Sequence, residues 1–220
     1  MLQVIECAGH PRDLGFGQGR ALRPLVRERI ADEGLSLRRS RWPSLHPFVK
    51  GPVRGRGGSR EVVRHFTHLA ERVDGLARGA DVPVDSLFRL QGRMGQVEGS
   101  AIALSAASLD GDSGEMLARG LPGANWVVRR SRPEVGFASL ELTHAWWVTA
   151  VAGINEASLA ACLVPHAGPI DDRAAEDSLP SAHLLVQECL QRFEDVDAGI
   201  DWCAHRPASG DASLWLADGS

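Results

Sequence analysis

The chain contains no tyrosine, and Lys50 is its only lysine. Arginine therefore carries nearly all of the positive charge, which we read as compositional bias. No apolar run approaches the roughly 18 residues of a membrane-spanning helix, and Met1 does not open a secretory signal. Both absences exclude a membrane partner and point to a cytoplasmic protein. Excess positive charge is missing too. The 24 basic residues face 28 acidic ones, for a net charge of −4, so nothing global calls for nucleic acid. Cysteine is sparse: Cys7, Cys162, Cys189 and Cys203 include no C-x-x-C pair, which argues against a disulfide framework or a zinc site. We read all four as buried thiols in a reducing compartment. What remains is ordinary for a globular protein: 220 residues, 44% hydrophobic and 24% charged, enough for one sizeable domain.

Residues Leu2 to Cys7 alternate as a short strand does. Four glycines follow within Gly9 to Gly19, and the density predicts a tight, close-packed turn. A helix comes next, with Leu22, Leu25, Val26 and Ile30 on one face and Pro24 in its first turn. Ser59 can cap a second helix in which Val62, Val63, Phe66, Leu69, Ala70, Val73 and Leu76 keep helical spacing, closed by Gly79. Asp85 opens a shorter helix through Leu90. The period then changes. Ala101 to Leu109 and Met116 to Arg119 read as a hairpin around Asp110-Gly111-Asp112-Ser113-Gly114. Trp126 to Arg130, Gly136 to Leu142, Trp147 to Ala152 and Leu159 to Val164 read as further strands. Leu185, Val186, Cys189, Leu190 and Phe193 form a helix face, Asp195 to Cys203 a second helix, and Ser213 to Ala217 a last strand. Runs of one type of element predict an α+β fold.

Other features carry chemistry of their own. Leu35 to Ser59 is irregular and holds Arg38, Arg39, Arg41, Arg54 and Arg56, with Arg60 just beyond. It reads either as an anion- or partner-binding loop or as a solvated one. His65 and His68 form an H-x-x-H, but no acidic residue completes a zinc pattern. His144 falls at a strand end beside a hydrophobic wall. On a strand, Trp146 and Trp147 point to opposite faces.

Three segments share one resemblance. Gly9-x-Pro11-x-Asp13-x-Gly15-x-Gly17-x-Gly19 resembles the opening G-x-P-x-E-x-G-x-x-x-G signature of the acyl-coenzyme A:6-aminopenicillanic acid acyltransferase family. Gly153-Ile154-Asn155-Glu156-Ala157-Ser158-Leu159-Ala160 is similar to its G-(M/I/V)-N-E-x-G-L-A segment. Leu184 to Asp218 is similar to its closing helix pair and L-x-L-A-D strand. That family belongs to the N-terminal-nucleophile (Ntn) hydrolases. The resemblance implies one domain with an αββα sandwich, incomplete at its C-terminal end. Residues 1–99 would be a helical, propeptide-like part, and residues 100–220 a strand-rich core with C-terminal helices. The unpaired last strand predicts homo-oligomer formation or a compensated partial sandwich.

The resemblance also implies self-cleavage before a nucleophile, usually Cys. A hydroxyl or thiol is a weak nucleophile until a base assists it. The α-amine freed by cleavage titrates near about 8 and can act as that base. In this chain the matching place is Gly99-Ser100, so Ser100 becomes the nucleophile. In a rival register Gly99 takes the nucleophile's place and the chemistry is gone. The family's R-N-x-D element keeps Arg119, which would orient the nucleophile or a substrate carboxylate, while Gly120 and Pro122 replace its Asn and Asp. Asn155 is either an oxyanion donor or a turn-pinning residue. The implied substrate is a small-molecule acyl amide or thioester, and no cofactor or metal is needed. The alternative is a catalytically degenerate family member acting as a binding or partner protein.

Overall fold

The computed structural model describes residues 2–37, 65–91, 125–165, 182–206 and 212–219. The arginine-rich loop, the hairpin over residues 101–119, Ser100 and Arg119 lie outside the described residues.

The chain opens with strand β1 (Gln3–Gly9) and then, where the glycines predict a turn, with helix α1 (Pro11–Ala21). The correction has a packing cause. Gly15 and Gly19 of α1 face Gly75 and Gly79 of helix α3 (Thr67–Ala80). A Cβ at Gly15 would lie 2.0 Å from the Arg72 carbonyl oxygen, and one at Gly75 would lie 1.9 Å from that of Arg12. The two backbones touch, so these positions admit only glycine. Each glycine costs a helix interior about 1 kcal/mol relative to alanine, and the close backbone contact offsets that cost. For the same reason Gly79 stays inside α3, and the helix ends instead on Asp81 in the left-handed conformation, φ 56°.

Leu22 separates α1 from α2 (Arg23–Asp32), whose first turn takes Pro24 as the sequence predicts. Val26 and Ile30 of α2 are fully buried. Helix α4 (Val84–Gln91) follows α3 with Asp85 in its first turn. Later come α5 (His183–Arg192) and α6 (Val196–Ala204). Asp195 caps α6 by accepting the Ala198 N–H at 2.7 Å.

The remaining strands are β2 (Trp126–Pro133), β3 (Ser139–His144), β4 (Ala152–Asn155), β5 (Ala160–Pro165) and β6 (Ala212–Ala217). They form one six-stranded sheet in the order β1-β2-β3-β4-β5-β6, with β1 parallel to β2 and every later pair antiparallel. The fold is α+β. No helix among the described residues is long and apolar enough to cross a membrane.

One expected strand is corrected. Residues 147–151 do not extend; β4 begins only at Ala152. The carbonyls of Trp147 and Val148 accept side-chain donors from Gln18 and Arg129 instead of a neighbouring strand. Both Trp146 and Trp147 are consequently buried in a connection, and not on alternate faces of a strand.

The register gives the sheet two distinct faces. One row runs Val4, Val128, Leu142, Ala152, Cys162 and Trp215 across all six strands. The opposite face carries Ile5, Arg129, Glu141, Gly153, Ala161 and Leu216 in register. The helices pack on this second face. Gln18 of α1 meets Arg129, Leu190 of α5 approaches Gly153, and Gly199 of α6 approaches Leu216.

Candidate functional site

Beneath α1, α3 and α5 the sheet buries an ionic cluster. The Arg129 and Glu141 side chains are fully buried, and their Nε–Oε2 distance is 2.5 Å. Arg129 Nη1 donates to Gln18 Oε1 at 2.6 Å and to the Trp147 carbonyl at 3.1 Å. Its Nη2 donates to the Val148 carbonyl and to Gln187 Oε1. Glu141 accepts from Ser131, Ser139 and Gln187 at 2.7–3.0 Å. A charge pair this deep is tolerable because nearly every donor and acceptor is satisfied.

A second cation joins it. Arg72 of α3 donates to Ser131 Oγ at 3.1 Å and lies 3.9 Å from Glu141 Oε2. Its Nε and Nη1 have no hydrogen-bond partner among the described residues. Burial and the neighbouring Arg129 lower Arg72 to about 10, against the pull of Glu141. Burial alone would push Glu141 upward. The two arginines, with hydrogen bonds from Gln187 and Ser139, hold it below its usual value.

Beyond this cluster stands an aromatic wall. His144 ends β3, as the sequence predicts, with its ring 3.8 Å from that of Trp126, 5.0 Å from Trp146 and 4.5 Å from Trp147. Trp147 in turn contacts His183 at 5.1 Å. Arg29 lies 5.1 Å over the Trp146 ring, within cation–π range. Burial, helped by Arg29, lowers His144 to about 4; burial and His144 do the same to His183. His144 is thus a neutral imidazole near pH 7. Its Nδ1 and the Trp126 indole N–H lack partners among the described residues.

The described residues on either side of segment 92–124 are held beside this wall. Gln91, at the end of α4, donates to the Trp146 carbonyl at 2.6 Å and accepts from the Val148 N–H at 3.1 Å. Asn125, just before β2, accepts the Ala145 N–H at 3.1 Å. Both residues flanking segment 92–124 are therefore held to the same connection between β3 and β4.

Of the three residues singled out in the sequence, only Asn155 is described. Its amide donates to the Leu190 and Phe193 carbonyls at 3.1 and 2.8 Å, and its oxygen accepts the N–H groups of Ala157 and Leu159. It closes the β4–β5 turn and ties it to α5, which is the turn-pinning role of the two considered. Ser158, where the family motif has glycine, sits at φ 71°. His68 of the H-x-x-H pairs with buried Glu188, which also accepts Arg192 at 2.9 Å. No cluster of three or more metal-ligating side chains occurs among the described residues.

The sequence reading missed Gln18, Arg72, Arg129, Glu141 and Gln187. Arg129 and Glu141 read as ordinary polar residues of solvated strands, and Gln18, Arg72 and Gln187 as polar residues of helices α1, α3 and α5. No protein-family model matches the chain, and no curated protein matches it.

Proposed function

We propose that this chain is an Ntn-type hydrolase or acyltransferase that acts on a small-molecule acyl amide or thioester after cutting itself before Ser100. The observation that carries the reading is the shared anchoring of Gln91 and Asn125. These residues flank the segment with Ser100 and Arg119, and both bind the connection beside the Trp126–His144–Trp146 wall. An aromatic wall with a neutral imidazole suits the apolar part of an acyl group. The apolar row from Val4 to Trp215 supports an αββα arrangement. A sheet with helices on one face normally turns polar residues outward, whereas the row from Val4 to Trp215 on the open face is apolar.

The Ser100 hydroxyl adds to the Gly99 carbonyl carbon, and the Gly99–Ser100 C–N bond breaks as the acyl group moves to oxygen. The hydroxyl proton passes to the departing nitrogen, so the Ser100 amine is free once the shift is complete. Water then hydrolyses the ester to the Gly99 carboxylate and the free Ser100 hydroxyl. In turnover that amine takes the hydroxyl proton while the oxygen attacks the substrate acyl carbon. The C–N or C–S bond breaks, and the amine or thiol leaves with that proton. Water or an acceptor nucleophile then takes the acyl group from Ser100. Arg119 orients the nucleophile or a substrate carboxylate. No cofactor is called for.

The second reading, a degenerate member that binds a partner, is favoured by Asn155, whose two amide donors are already committed to the Leu190 and Phe193 carbonyls. Intact-mass measurement of the purified protein separates the readings. Fragments 1–99 and 100–220 are expected, with Ser100→Ala leaving the chain whole. A wild-type chain that stays intact on long incubation overturns self-cleavage and leaves the binding reading.

A further inference from the structure

Two of the four cysteines face one another across the C-terminal helix pair. Cys189 lies on α5 and Cys203 on α6, with their sulfurs 3.5 Å apart in hydrogen-bonding contact. Both are thiols. Cys189 is fully buried, whereas Cys203 is partly open to solvent. The asymmetry assigns roles. An oxidant reaches Cys203 first, and the sulfur placed to react next is that of Cys189.

We propose that Cys189 and Cys203 form a dithiol that a hydroperoxide oxidises to an intramolecular disulfide, with Cys203 as the attacking sulfur and Cys189 as the resolving one. The Cys203 thiolate attacks one peroxide oxygen. The O–O bond breaks, and Cys203 becomes a sulfenic acid while the other oxygen leaves as water or alcohol. The Cys189 sulfur then attacks the Cys203 sulfur. Its proton joins the departing hydroxide, so a second water forms as the S–S bond closes. Two thiols are oxidised by two electrons, and the peroxide is reduced by two.

Electrostatics run in the same direction. The hydrogen bond between the sulfurs holds the proton on Cys189, whose pKa rises, and lowers that of Cys203, with Arg206 adding to the second effect. A thiolate is the reactive form. Closing the bond requires the sulfurs to approach by about 1.5 Å. Cys189 sits on α5, which also carries Gln187, whose amide holds Glu141 and Arg129. The modification therefore sits two residues from the buried ionic cluster.

Hydrogen peroxide titration of the native full chain, followed by thiol counting and peptide mapping, tests this. One equivalent is expected to remove two of the four thiols, with a cross-linked peptide containing Cys189 and Cys203. Cys7 and Cys162 should keep their thiols. In Cys189→Ser, oxidation should stop at a Cys203 sulfenic acid that dimedone traps. The wild-type map stands without any variant. Loss of Cys7 or Cys162 before the cross-link, sulfinic acid at Cys203 without a disulfide, or no thiol loss would each overturn the proposal.

Discussion

Leu140 and Glu141 are neighbours in sequence and opposites in setting. Leu140 belongs to the face away from the helices and is 45% exposed, while Glu141 on the helix-covered face is 1% exposed. An apolar side chain thus stands outward and a carboxylate inward on one strand. The helix-covered face can hold charge because α1, α3 and α5 bring Gln18, Arg72 and Gln187 to it with complementary donors and acceptors. Among the described residues the other face is mostly apolar, and its charges, Glu6, Arg130 and Arg132, stay exposed on β1 and β2. Burial alone does not decide which side chains a strand turns inward; hydrogen-bond satisfaction at each site does.

This contrast can be broken most sharply at Glu141. Glu141→Ala leaves Arg129 and Arg72 buried without a counter-charge, so urea unfolding should show a loss of about 3–5 kcal/mol. A loss under about 1 kcal/mol would mean that the arginines find water or another anion, and that the face is not closed.

Acid should act at two further buried groups, His144 and His183, with an effect per group at the lower end of that range. His144 and His183 are held to about 4 in the folded protein, against an unfolded value of about 6.5. The unfolded chain therefore takes up protons first. Stability present above pH 6.5 should be lost as the pH falls toward 4, by an amount of order 3 kcal/mol per histidine. The depressed Glu141 carboxyl works in the same direction at lower pH, below its unfolded value. Unfolding free energies measured from pH 7.5 to 4 should slope steadily downward, and His144→Gln should flatten part of that slope. A level profile would show that the wall is open to water.

The smallest effect belongs to the apolar face. Ile154 pairs with Leu140 across β3 and β4, and both are 45% exposed. If a further layer covers this face, Ile154→Lys should cost about 1–2 kcal/mol by burying an unpaired charge at its edge. We expect that cost in thermal unfolding. A neutral result would make the face solvent-exposed and remove the αββα arrangement from the functional proposal.

How much was legible beforehand differs from element to element. Helices α3, α5 and α6 announce themselves by apolar spacing, and the Asp195 cap is visible as a residue type in the right place. The glycine-rich opening was legible as close packing but not as helix. Glycine signals that something approaches the backbone, not which backbone conformation it serves. Trp146 and Trp147 read as strand because their neighbours are β-branched and apolar, whereas side-chain donors from Gln18, Gln91 and Arg129 take the carbonyls a strand would need. Asn155 sits at the right spot in its motif, yet only its four hydrogen bonds distinguish an anchor from an oxyanion donor.

By itself the sequence determined the α+β class, the positions of most elements and the glycine spacing that admits α1 against α3. These follow from local geometry: helical and strand periods, caps, and the missing Cβ. The tertiary structure alone decided that Arg129 and Glu141 lie inside and Leu140 outside. It also brought Cys189 to Cys203 and fixed Gln91 and Asn125 beside one aromatic wall. Those outcomes depend on which distant groups arrive to satisfy a charge, a thiol or a carbonyl, and local sequence carries no record of that.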